Sequence, residues 1–176
     1  MIRRSANTVL LALLVVVIAS ACGFGLRGIG GPSGSQLVGR LYVEGEASLI
    51  TPLRNALTAQ QVQFAAFRKE ADTLVVINNE VRNRREASVD ASGRVSEYEL
   101  LHSIDLLTVR STGDVKAGEL EREDYDQRPQ TVSVIRDYTY DETLVRGKDD
   151  EERILREEMS DELVRHLVLR IFAGSL

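Results

Sequence analysis

The chain carries one cysteine, no tryptophan, two histidines and three prolines in 176 residues. A single thiol excludes an internal disulfide, so the fold must rest on its apolar core. His102 and His166 have no neighbouring histidine or cysteine at ligand spacing, so no zinc-type site is expected and both read as structural or surface residues. The G-x-S-x-G elbow, the phosphate loop and the H-E-x-x-H pair are all missing. Carboxylate runs such as Glu121/Glu123/Asp124 and Asp149 to Glu152 are better explained as solvated faces than as acid–base pairs. These absences disfavour an enzyme and call for no cofactor and no metal. Positive charge is also scarce: 22 basic residues stand against 27 acidic ones. That balance excludes a general nucleic-acid binder and broad electrostatic adhesion to an anionic membrane.

The longest apolar run, Thr8 to Ala21, has 14 residues, too short for the roughly 20 that a spanning helix needs. Arg3 and Arg4 precede it, and Ala19, Ser20 and Ala21 close it directly before Cys22. Positive start, short apolar core and small residues at the end form a cleaved secretory signal over residues 1–21. A cysteine at the cleavage point can carry a diacylglyceryl thioether, and the freed amine can take a third acyl chain. Two or more chains make a stable anchor, at roughly 0.8 kcal/mol per buried methylene. Cys22 is therefore the expected lipidation site of a bacterial lipoprotein. Ala19 departs from the leucine usual in such signals, and an ordinary signal followed by a fortuitous cysteine is the plainer alternative. In lipoproteins of Gram-negative bacteria an Asp after the cysteine retains the chain in the inner membrane. Gly23 stands there, so the outer membrane, periplasmic side, is expected.

Residues 22–36 read as lipidated N-terminus and flexible tether, because IGGPSGSQ supports neither helix nor strand. Residues 37–176 read as one domain. Alternation predicts a first strand at about 37–44. Ser48 or Thr51 can cap a helix over about 48–61, with Pro52 in its first turn. Residues 62–67 are ambiguous between a short strand and the approach to one. A long strand is expected over 72–87, with Leu74 to Ile77 buried and Val81 continuing it. Asp90 to Gly93 form a turn. In the strand over 95–110, Tyr98, Leu100, Ile104 and Leu106 face one way while Glu97, Glu99, Ser103 and Asp105 face the other. Ser111 to Asp114 form the next turn, and 115–140 read as another long strand, interrupted near Pro129. Leu155, Met159, Leu163, Leu167 and Ile171 recur every four residues in a final amphipathic helix over about 148–170. The expected fold is α+β, with two helices packed on one face of a mostly antiparallel four-stranded sheet in the order β-α-β-β-β-α.

Arg82, Arg84 and Arg85 end the second strand, Arg94 opens the third, and Arg146 and Lys148 precede the last helix. Side-chain alternation places Arg82 and Arg84 on one face and Arg85 on the other. Such groups can hold phosphates by charge-assisted hydrogen bonds, or they can guard an edge strand against aggregation.

Four landmarks occur in order along the mature chain. Cys22-Gly23-Phe24-Gly25-Leu26-Arg27-Gly28 opens it. Ser96-Glu97-Tyr98-Glu99-Leu100 opens the middle strand, Arg136-Asp137-Tyr138-Thr139-Tyr140-Asp141 ends the last strand, and Lys148-Asp149-Asp150-Glu151-Glu152 leads into the final helix. Together they resemble the LptE (RlpB) family of outer-membrane lipoproteins. The resemblance implies a non-enzymatic subunit that plugs and helps assemble the β-barrel LptD and assists delivery of lipopolysaccharide to the outer leaflet. It implies three partners: the barrel, lipopolysaccharide, and the membrane through the acyl chains. It also implies lipopolysaccharide contacts near the middle turn and before the last helix. Lys148 matches the second position. The aligned turn position is Ala91, and Arg94 is the nearest basic residue, with Arg84 and Arg85 as further candidates. The alternative is a free envelope lipoprotein that binds a lipid or braces another complex.

Overall fold

The computed structural model describes residues 34–45, 47–121, 128–140 and 145–173. The expected signal, Cys22 and all but the end of the tether lie outside the described residues, as do 122–127 within the last expected strand. The elements in order are α1 (Gly34–Val38), β1 (Arg40–Gly45), α2 (Ile50–Ala59), β2 (Gln63–Phe64), β3 (Thr73–Val89), β4 (Val95–Arg110), β5 (Gln130–Thr139) and α3 (Val145–Ala173).

The α+β class holds, with α2 and α3 on one face of a sheet, but the sheet has five strands rather than four, in the order β2-β1-β3-β4-β5. The extra strand, β2, has only two residues and runs parallel to β1. β1 is also parallel to β3, because α2 and β2 form the crossover between them. From β3 onward the pairing is antiparallel through β4 to β5. The first strand starts at Arg40, and residues 34–38 before it are helical, where tether and strand were expected. The stretch after Thr112 is not a strand either. Thr112 and Val115 form an isolated bridge and Ala117–Glu119 form a 3₁₀ turn, so among the described residues the last strand is confined to β5. Packing explains the difference: Gly118 lies so close to the Arg68 carbonyl that any β-carbon would overlap it. A glycine that admits such close approach is a weak strand former.

The main core lies between sheet and helices. Leu41 and Val43 of β1, Val75 and Ile77 of β3, Leu100, Ile104 and Leu106 of β4, and Val132 and Val134 of β5 meet Leu53 and Leu57 of α2. The four-residue stripe of α3 lies over them, with Met159, Leu163, Leu167 and Ile171 fully buried and Leu155 partly so. A smaller cluster on the far face joins Leu74, Val76, Leu107 and Val109 to Ala117 of the 3₁₀ turn. At the end of α3, where helix carbonyls lack intrahelical donors, the Arg110 guanidinium donates to the Ile171 carbonyl at 2.8 Å.

One irregularity sets up the polar region. The register of β3 on β4 slips between Asn78 and Val81, and Asn79 adopts φ 53°. Before this bulge the odd residues Val75 and Ile77 face the helices. After it the even residue Arg82 lies beside His102, on the same face of β4 as Leu100 and Ile104. One inserted residue thus turns the rest of β3 over. Val81 consequently does not continue the core and is exposed.

Candidate functional site

Past the bulge, Glu80, Arg82 and Arg84 rise from β3 toward the helices. Glu80 gathers four partners. The Ser48 amide and hydroxyl donate to its two carboxylate oxygens at 2.7 and 2.8 Å, Arg82 Nε donates at 2.9 Å, and His102 Nε2 lies 2.9 Å away. Burial alone would raise the Glu80 pKa. The Ser48 and His102 hydrogen bonds and the Arg82 charge outweigh burial and hold it at about 2. Ser48 or Thr51 was expected to cap α2, but the cap position is Leu49, without a side-chain bond; Thr51 lies inside the helix and Ser48 serves Glu80 instead. His102 is 3% exposed, and burial pushes its pKa below the usual value against the pull of the Glu80 hydrogen bond. Beside ionised Glu80 a neutral ring carries its proton on Nε2, which leaves an Nδ1 lone pair 3.4 Å from Ser160 Oγ; this tautomer is assigned from the 2.9 Å Glu80 contact, against the longer 3.3 Å approach of Arg82 Nε to the same nitrogen.

Ser160, His102 and Glu80 therefore line up in the order of an acyl-transfer relay. The chemistry does not follow from the order. Ser160 Oγ donates its proton to the Arg156 carbonyl at 2.8 Å. Ser160 also sits in the middle of α3, where backbone N–H groups bond within the helix and cannot form an oxyanion hole. The arrangement instead ties β3 to β4 through the Glu80–His102 contact, and the buried ring packs beside Ser160 of α3.

A second hub lies beside it. Glu152 of α3 accepts from Arg84 Nη1 at 2.9 Å, from the Tyr138 hydroxyl at 2.6 Å and from Arg156 Nε at 2.8 Å. Burial opposes ionisation of Glu152, but Tyr138, Arg156 and Arg84 together lower its pKa. Burial, and then the hydrogen bond to Glu152, push the Tyr138 phenol up to about 12. The hydrogen bond to Glu152 raises the Arg84 pKa further. Arg84 also stacks over the Tyr98 ring, 4.5 Å from its centroid, and Tyr98 packs on Tyr138 and Tyr140. Between the hubs, Arg82, Arg84, Arg153, Arg156, Glu152 and Ser160 line a groove of about 460 Å³.

The basic residues singled out from sequence fall in three places. Arg84 lines the groove. Arg85 points to the far face of the sheet, as alternation requires, and forms a fork with Glu99 at 2.6 and 2.8 Å. That hydrogen bond lowers the Glu99 pKa. Arg94 lies at the hairpin tip, where its amide and guanidinium both bond Asp90. Arg84 pairs with Leu100, five strand residues from Val95, so about 17 Å of strand separates it from the tip. Lys148 lies in the first turn of α3, four residues ahead of Glu152. The tip and the end of β5 are neighbours, since the Tyr140 amide donates to the Ser96 carbonyl at 2.8 Å. Sequence reading missed Arg153 and Arg156, whose spacing to Asp150, Glu152 and Glu157 looks like the ion-paired outer face of a helix. The available signal was that Arg156 directly follows Leu155 of the buried stripe.

The model of the LptE family, described as Lipopolysaccharide-assembly, matches residues 38–171. No curated protein sequence matches the chain significantly. The solution structure of an uncharacterized lipoprotein B from Nitrosomonas europaea is similar at TM-score 0.66 and 20% identity, covering 87% of this chain and 92% of the other. The rare lipoprotein B of Shewanella oneidensis gives 0.62 and 18% identity, over 77% and 95%. A minor lipoprotein from Acinetobacter baumannii gives 0.57 and 21% identity, over 77% and 91%. At these identities the likeness concerns the fold.

Proposed function

The chain belongs to the LptE family of lipopolysaccharide-assembly proteins, and we propose that it acts there as the lipid-anchored plug and assembly subunit of an LptD-like outer-membrane β-barrel. Cys22 is its anchor on the periplasmic side, and its task is to assist lipopolysaccharide insertion into the outer leaflet. Catalysis has no part in this reading. The family match over residues 38–171 carries it.

The physics of the surface is compatible with enclosure. A barrel lumen is polar and can be filled by a folded chain. On the far face of the hairpin arm Arg85 and Glu99 stand in cross-strand register, with Asp137 beside Glu99. Such a charged face suits orientation within a polar wall more than raw adhesion. Among the described residues no helix is long and apolar enough to cross a membrane.

The deciding experiment is affinity purification of the full chain from outer membranes. An approximately equimolar β-barrel is the expected companion. Recovery without a stoichiometric barrel would favour the free lipoprotein that binds a lipid or braces another complex.

A further inference from the structure

We propose that the groove between β3 and α3 binds a phosphomonoester of a glycolipid headgroup through Arg82, Arg84, Arg153 and Arg156. This rests on the reading that the chain handles lipopolysaccharide, and it names where and how the headgroup is held.

Four guanidinium groups and the Ser160 hydroxyl line the groove, against the carboxylates of Glu152 and Glu157. The chain as a whole carries a formal charge of −5, and around the groove Arg82 is paired with Glu80 and Arg153 with Glu157 and Asp150, so cations outnumber their carboxylate only at Arg84 and Arg156. A phosphomonoester, with three acceptor oxygens and about −1.5 to −2 charge at pH 7, offers the gathered guanidinium forks more acceptors than a single carboxylate does. The surplus has a structural origin. Arg84 and Arg156 share one carboxylate, Glu152, which also accepts from Tyr138. One negative charge therefore serves two cations. A guanidinium carries five N–H donors, more than the contacts to Glu152 and Tyr138 use, and its flat fork matches phosphate oxygens.

The inner wall is set before any ligand arrives. Tyr98 supports Arg84 from below, and Glu80 and the Ser48 hydroxyl hold Arg82. Less of the ordering cost then falls on binding. Arg153, more than half exposed and paired with Glu157, forms the outer wall and can turn toward an incoming group. The volume of about 460 Å³ admits a sugar phosphate as well as a bare ion. Arg85 and Arg94 have no part in this site, because they occupy the far face and the hairpin tip.

The test uses the full chain in non-ionic detergent, titrated by calorimetry with four probes: inorganic phosphate, dihexanoyl phosphatidic acid, intact lipopolysaccharide and chemically dephosphorylated lipopolysaccharide. Intact lipopolysaccharide and phosphatidic acid should bind, and dephosphorylation should weaken binding by about tenfold or more. Arg84→Gln with Arg156→Gln should weaken it at least as much, while Arg85→Gln should leave it unchanged. Since the double variant also removes the two cationic partners of Glu152 and leaves it only the Tyr138 hydroxyl, Glu152→Gln is the second arm. It frees two guanidinium groups and should tighten phosphate binding by about threefold or more. Folding of each variant is checked by circular dichroism. Unchanged affinity in either folded variant, or indifference to dephosphorylation, overturns the site. Inorganic phosphate binding as tightly as the lipid overturns the headgroup assignment. Barrel recovery is followed in parallel. A wild-type chain that recovers the barrel but binds no phosphate overturns the groove alone, whereas a wild-type chain that recovers no barrel overturns the plug. If the double variant loses the barrel with phosphate binding intact, the groove serves a protein carboxylate and the proposal fails.

Discussion

Glu80 and His102 face each other across β3 and β4 with a carboxylate oxygen 2.9 Å from Nε2, an ionised acid beside a neutral buried ring. Both pKa values lie below those of the unfolded chain. Burial is the larger influence on the histidine, while hydrogen bonds and the Arg82 charge overcome burial at the glutamate.

This pair predicts acid sensitivity in two stages. Below about pH 6.5 the unfolded chain protonates His102 while the folded chain resists, so the unfolded state binds more protons and stability falls with falling pH. Between about pH 4.5 and 2 Glu80 repeats the effect, because its folded pKa is about 2 against a usual 4.5. Both contributions are complete above the unfolded values and are lost as pH falls toward the folded ones. Thermal melts from pH 7.5 to 5 should show a falling midpoint that flattens in His102→Gln. A wild-type midpoint constant over that range contradicts the assignment.

The core of α3 gives a second expectation. Leu163 is fully buried among sheet residues. Leu163→Ala should cost about 2–5 kcal/mol, a large share of a stability of about 5–15 kcal/mol. Urea denaturation measures it, and an unchanged midpoint would mean that the site collapses without loss.

These two regions also show how far sequence reaches. The α3 stripe is legible because a four-residue repeat of large apolar residues has one helical solution. The β4 strand is legible because Tyr98, Leu100, Ile104 and Leu106 alternate with polar residues between two turns. β2 is not legible, because Gln63 and Phe64 are too few to show a period. The parallel pairing of β1 with β3 depends on the crossover through α2 and leaves no local mark. In the groove, alternation puts Arg82 and Arg84 together and Arg85 apart. Which of those faces meets α3 depends on the slip at Asn79, a single residue in a polar run. Arg153 and Arg156 carry helical ion-pair spacing, which looks the same on a solvated face and on the wall of a groove.

The anchor makes a third expectation, on residues outside those described. Intact mass of the wild-type chain should show loss of residues 1–21 and a gain of acyl mass at Cys22. Cys22→Ser should give a chain that fractionates as soluble or stays uncleaved. A mature chain that begins elsewhere without acyl mass contradicts the lipidation reading.

The last prediction concerns Asn79. Its φ of 53° lies in the left-handed region, which asparagine enters far more readily than a β-branched residue. Its side chain also donates to Asp105 at 2.9 Å, which holds the bulge against β4. Asn79→Gly keeps the backbone conformation and loses only that exposed bond, so its cost should stay below about 1.5 kcal/mol. Asn79→Val adds the left-handed penalty, roughly 1–2 kcal/mol more. Deletion of Asn79 goes further. Without the extra residue the register requires Glu80, Arg82 and Arg84 to turn to the far face, or the strand to re-form the bulge from a neighbouring residue. The first outcome breaks the contacts of Arg84 with Glu152 and of Glu80 with His102 at once, while the upstream core at Val75 and Ile77 is kept. Denaturation should rank the three variants Gly, Val, deletion in order of increasing loss. Histidine NMR should show His102 titrating closer to its ordinary value only in the deletion. A deletion variant with wild-type stability and an unchanged His102 titration would show that the bulge does not determine which face of β3 meets α3.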